Sequence, residues 1–95
     1  MNQLKQLPIK ASDEDLKGRY ANAMQISHTP EEFIFDFLNM APPAGQLVSR
    51  IITNPGHAKR ILAALQDNIV KYEARFGKIQ KAKEPQIKIK PGEPS

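Results

Sequence analysis

Between Asn54 and Gly77 the chain spells out one long amphipathic helix with both of its ends marked. Asn54 is a favoured N-cap, Pro55 suits the first helical position because its missing N–H has no partner there in any case, and Gly77 follows the last periodic residue as a left-handed stop. Ala58, Leu62, Leu65, Ile69, Tyr72 and Phe76 recur at spacings of 4, 3, 4, 3 and 4, one apolar stripe, with Asp67 and Lys71 paired i,i+4 on the opposite side. The pattern predicts a helix over 55–76, a rod of roughly 33 Å. A single rod of that length shelters one face of one sheet of strands about ten residues long.

Three apolar runs precede it, broken by turn chemistry at His28-Thr29-Pro30-Glu31 and at Ala41-Pro42-Pro43-Ala44-Gly45. They read as strands over 19–28, 32–40 and 46–53. The second also carries a helix signature, since Thr29-Pro30-Glu31-Glu32 resembles a capping box with proline at the first position. A helix there, however, would be apolar almost all round, whereas a strand sorts Phe33, Ile34, Phe35, Phe37 and Leu38 onto two faces.

With Thr29-Pro30 at the tip of the first hairpin, Ile26 opposes Phe33, Met24 opposes Phe35 and Asn22 opposes Phe37. With 41–45 as the second loop, Phe35 opposes Ile51 and Phe37 opposes Ser49. One face then collects Met24, Ile26, Phe33, Phe35, Phe37, Leu47 and Ile51, and this is the face the helix is expected to cover. The other carries Ile34, Leu38, Met40, Val48 and Ile52, with Asp36 directly opposite Arg50. One helix does not cover both sides of a sheet, so a lone chain would leave an apolar patch of several hundred Å², larger than monomers ordinarily expose. The expected remedy is a second copy packed through Ile34, Asp36, Leu38, Met40, Val48, Arg50 and Ile52, with a protein partner as the other candidate occupant.

Composition sets the remaining bounds. At 95 residues the chain is one small domain, and with no cysteine it has neither a disulfide framework nor a thiolate metal site to supplement its packing. All six aromatics fall between Tyr20 and Phe76, so residues 18–77 form the folded part, flanked by polar tails, 1–17 and 78–95, expected to be disordered. The net charge of +4 is mostly a property of the second tail, where Lys78, Lys81, Lys83, Lys88 and Lys90 stand against Glu84 and Glu93. No run approaches the roughly 18 apolar residues of a membrane span, and Met1 to Lys10 lack the apolar stretch of a secretory signal. A soluble, cytoplasmic protein is expected.

Several ordered motifs carry a resemblance. Gly18-Arg19-Tyr20-Ala21-Asn22, Ser27-His28-Thr29-Pro30-Glu31-Glu32-Phe33 and Asp36-Phe37 lead into Val48-Ser49-Arg50-Ile51-Ile52, Pro55 and His57-Ala58-Lys59-Arg60. Asp67-Asn68-Ile69, Lys71-Tyr72-Glu73 and Phe76-Gly77 complete the set. Over roughly residues 18–79 the chain resembles the uncharacterised bacterial proteins of domain of unknown function family 3467. The resemblance implies an identity without an activity, and brings no catalytic residue with it. Gly56 departs from the pattern, in which an acidic residue is usual at that second helical position.

No constellation in the sequence points to catalysis. His28 and His57 are the only histidines, too few for a metal site and without HxH or HExxH spacing, and they read as a turn residue and a first-turn helix residue. Asp36 and Arg50 read as a cross-strand ion pair that fixes register and interface pairing. Ser49 has no nucleophile-elbow glycines, and the five glycines never approach a phosphate-loop spacing. The expected fold is α+β, a three-stranded antiparallel meander followed by one long C-terminal helix. The expected function is a non-enzymatic, homo-oligomeric protein-binding or assembly module, a dimer or higher, with no cofactor. The alternative is a basic accessory protein that meets nucleic acid through helix lysines and Lys78, Lys81, Lys83, Lys88 and Lys90.

Overall fold

A computed structural model, which describes residues 6–83, places five elements in order: α1 (Asp13–Lys17), β1 (Ala23–His28), β2 (Phe33–Ala41), β3 (Ala44–Thr53) and α2 (Pro55–Phe76). The strands form one antiparallel sheet in the order β1-β2-β3. This is the expected meander followed by a long helix.

The ends of α2 follow from local chemistry. The Asn54 side-chain oxygen accepts from the His57 N–H at 2.7 Å, Pro55 opens the first turn, and Gly77, at a φ of 99°, donates its N–H to the Glu73 carbonyl at 3.0 Å. Asp67 and Lys71 meet at 2.8 Å on the solvent side. The first tail carries more structure than expected: Ser12 and Asp15 complete a reciprocal capping box, and the one-turn α1 forms behind it.

The first hairpin shifts the anticipated register along its whole length, the second only between its loop and a bulge, for different reasons. In the first, the Thr29 hydroxyl accepts from the N–H groups of Glu31 and Glu32, and the Thr29 N–H donates to the Glu32 carbonyl at 2.9 Å. The loop is therefore longer than a Thr29-Pro30 tip, so Ile26 opposes Phe35 and Met24 opposes Phe37. The slip is two residues, which leaves every β1 side chain on its expected face. In the second, Ala41 pairs with Ala44 across Pro42-Pro43, a tighter loop than anticipated. Pairing near that loop runs one residue out of step with the pairing beyond it, and a bulge between Phe37 and Leu38 reconciles the two.

Beyond the bulge the expected partners hold: Phe35 with Ile51, Asp36 with Arg50, Ile34 with Ile52. On the loop side Leu47, not Val48, opposes Leu38. Leu47 thereby moves to the Ile34 face, and Val48 leaves the set expected there.

Packing departs most from expectation. The first half of α2 lies over the Phe35 face but stands off it, leaving Leu62 63% and Leu65 57% exposed. Among the described residues Phe35, at 8%, is the only one that is buried. The helix stripe and the sheet face that were expected to close on one another remain open.

Candidate functional site

The space between sheet and helix is an apolar groove of about 900 Å³. Its floor is Met24, Ile26, Phe33, Phe35, Phe37 and Ile51, brought to one face by the two-residue period of the strands. Its wall is Ala58, Ile61, Leu62 and Leu65, one stripe of the first half of α2. Ile61 was absent from the periodic set; it stands three residues after Ala58 and four before Leu65, so the same helical spacing identifies it. A groove lined this way offers apolar contact and shape, with no acid, base or nucleophile among its wall and floor side chains.

The opposite face holds Ile34, Leu38 and Met40 on the central strand, half-buried by their cross-strand neighbours, with Ile52 and Leu47 about half exposed at the side. Met40 lies across Gly45, whose missing Cβ leaves room for the thioether. Amid these residues Arg50 grips Asp36 with two hydrogen bonds, Nε to Oδ1 at 2.7 Å and Nη2 to Oδ2 at 3.0 Å. Those bonds hold the Asp36 carboxyl below its ordinary value against an opposing effect of desolvation, with the charge of Arg50 adding to them, and they raise Arg50 in turn. Every expected member of this face is therefore brought together except Val48.

Val48 instead lines a smaller, open hollow of about 510 Å³ with Phe37, Ser49 and Ile51, bordered also by Glu14, Asp15 and Arg19. The bulge leaves the Val48 carbonyl to the Arg19 side chain, which donates to it at 2.9 Å. At the same end Asn22 acts as an additional strand residue. Its side-chain amide donates to the Met40 carbonyl at 3.0 Å and accepts from the Met40 N–H at 2.8 Å, while its own N–H donates to the Leu38 carbonyl. Neither role of Arg19 or Asn22 has a signature in spacing, because each depends on where β3 bulges and where β1 stops.

The two histidines take up structural positions. His28 stacks on Phe33 with ring centroids 5.5 Å apart, and His57 sits in the first turn of α2. Among the described residues no three His, Asp or Glu side chains cluster closely enough to hold a metal ion. Lys78, Lys81 and Lys83 are exposed on irregular backbone, and Lys88 and Lys90 lie outside the described residues. No helix among the described residues is long and apolar enough to cross a membrane.

The model of the family described as "Protein of unknown function (DUF3467)" matches residues 1–81. The chain belongs to that family. The matched span runs beyond residues 18–79 at both ends, and takes in α1 and Arg19 together with the sheet and α2. No curated protein and no solved structure matches the chain. The DUF3467 description assigns no activity.

Proposed function

We propose that this DUF3467 protein is a small non-enzymatic assembly module that works as a homo-oligomer. The observation that carries the reading is the missing core: a three-stranded sheet and a 22-residue helix together bury one residue, Phe35, among those described. A chain this small has little stability to spare even when well packed. The radius of gyration, 16.7 Å, exceeds the roughly 12 Å of a compact chain of this length, with the irregular ends contributing. Apolar side chains on both faces of the sheet and along α2 supply what a second copy would bury.

Sedimentation equilibrium tests the reading directly. The expected result is a mass of at least twice 10.7 kDa, with a melting temperature that rises with protein concentration, as it must when association is part of folding. A stable, folded species at 10.7 kDa whose melting temperature ignores concentration refutes it.

A further inference from the structure

Two apolar surfaces lack a cover among the described residues, and they have complementary character. The first is the groove, whose floor and wall leave Met24, Ile26, Ile51, Leu62 and Leu65 about half exposed. The second is the far half of α2. Of α2, only Ala58, Ile61, Leu62 and Leu65 line the groove; beyond them the same stripe continues through Ile69, Tyr72 and Phe76, which line no part of it and are 40%, 49% and 65% exposed.

That far half is nonetheless helical to its end. Gly77 closes the last turn, and the Glu73 carboxylate accepts from the Ile79 N–H at 2.9 Å. Tyr72 and Phe76 lie with ring centroids 5.0 Å apart, and the Arg75 guanidinium sits 5.3 Å from the Phe76 ring centre. This far half extends a helix already started at Asn54, so continuing it costs little, but tertiary packing of an apolar face is what ordinarily stabilises a helix in a protein. Its apolar side calls for a tertiary partner that its own sheet does not supply.

We infer, resting on the homo-oligomer reading above, that the groove between the sheet and α2 receives the far half of α2 from a second copy, carrying Ile69, Tyr72 and Phe76. A two-fold axis makes the exchange reciprocal: each chain fills its partner's groove and has its own filled, the self-matching arrangement that a symmetric dimer requires. The 4-3-4-3-4 spacing from Ala58 to Phe76 suits the task, because it keeps one seam continuous along α2 while the first half faces one sheet and the second half the other. The area allows it: complete burial of the exposed parts of the groove residues and the far-half stripe would remove on the order of 900 Å² per protomer, a ceiling of about 1,800 Å² for the pair that lies within the range of stable interfaces. The Ile34 face, with its Asp36–Arg50 pair, stays outside this seam.

Cross-linking tests the exchange, helped by a chain free of cysteine. A Met24→Cys chain and a size-tagged Tyr72→Cys chain are refolded together, checked for helix content by circular dichroism, and treated with a short thiol-to-thiol cross-linker. The expected product is a band joining tagged and untagged chains, absent when Ile52→Cys replaces Met24→Cys. An associated species by sedimentation that yields no such band, or yields it only with Ile52→Cys, overturns the exchange and leaves the homo-oligomer reading standing. A monomer in sedimentation overturns both. As a second variant, Leu65→Glu is expected to raise the dissociation constant at least tenfold; an unchanged constant counts against the groove as the seam.

Discussion

Leu65→Ala separates a lone protomer from an assembled one by the size of its cost. In the protomer Leu65 is 57% exposed, so less than half of its side chain is withdrawn from water. Full burial of a leucine contributes about 1.5–3 kcal/mol, so truncation in an isolated chain removes roughly 1 kcal/mol. The better helix propensity of alanine returns a few tenths of that. With a second copy's helix packed into the groove, the same truncation leaves a cavity in a closed interior, and the cost rises to about 2–5 kcal/mol at each of two sites in a dimer. Urea unfolding followed by circular dichroism, at two protein concentrations a decade apart, reads both quantities. The wild-type midpoint should rise with concentration, by an amount equivalent to about 1.4 kcal/mol per mole of dimer for each tenfold step. A loss near 1 kcal/mol together with a midpoint that ignores concentration would mean that Leu65 stays at a solvated surface, and the argument for a filled groove would fail.

Two further outcomes rest on contacts within the chain. Because Arg50 lowers the Asp36 carboxyl in the folded state, this carboxylate stabilises the fold above the ordinary carboxylate range near pH 4, and its contribution disappears as pH falls through the lowered folded value. The stability difference between wild type and Asp36→Asn should therefore be constant at neutral pH and shrink below about pH 4; a difference that persists unchanged to lower pH would remove the ion pair as its cause. Asn54→Ala deletes the side-chain acceptor for the His57 N–H and should cost about 1 kcal/mol in a urea titration, with no loss of association at high protein concentration.

The elements were legible where the sequence marks its own boundaries. Asn54, Pro55 and Gly77 act within a turn of themselves, so the limits of α2 followed from local chemistry. Thr29 shows how local chemistry also misleads. Its hydroxyl makes the hydrogen bonds of a helix cap, but it makes them inside a hairpin, because an apolar stretch with residues for two faces is better used as a central strand. The same bonds lengthen the loop and move the β1–β2 pairing by two. Faces survived that error only because two is the strand period. The β3 error was of odd size, and so it exchanged Leu47 with Val48. Nothing in residue spacing announces a bulge, which arises from the conflict between a tight Pro42-Pro43 turn and the apolar pairs farther along. Ile61 was within reach of the helical period, whereas the open groove was not: periodicity says which residues share a side, and only coordinates say how far that side stands from its neighbour.

The polar side chains of the fold have already been given structural tasks. Arg19 satisfies the carbonyl freed by the bulge, Asn22 extends the ladder on β2, Thr29 ties the first turn, Asp36 and Arg50 pin β2 to β3, and Asn54 starts α2. Each of these holds a strand or helix in a particular register, and of them only Asn22 borders the groove, at the end where β1 begins. The groove is therefore held open by a frame whose polar contacts fix its geometry while its own lining, Asn22 apart, stays apolar. Such a frame suits recognition by contact, in which affinity grows from removing side chains from water and specificity from the fixed distance between sheet and helix. It also explains how so small a chain can leave its apolar residues unpacked and still define one shape. Register is set by hydrogen bonds that a single copy completes, while the cohesion that an ordinary domain draws from its core is, among the described residues, reduced to Phe35.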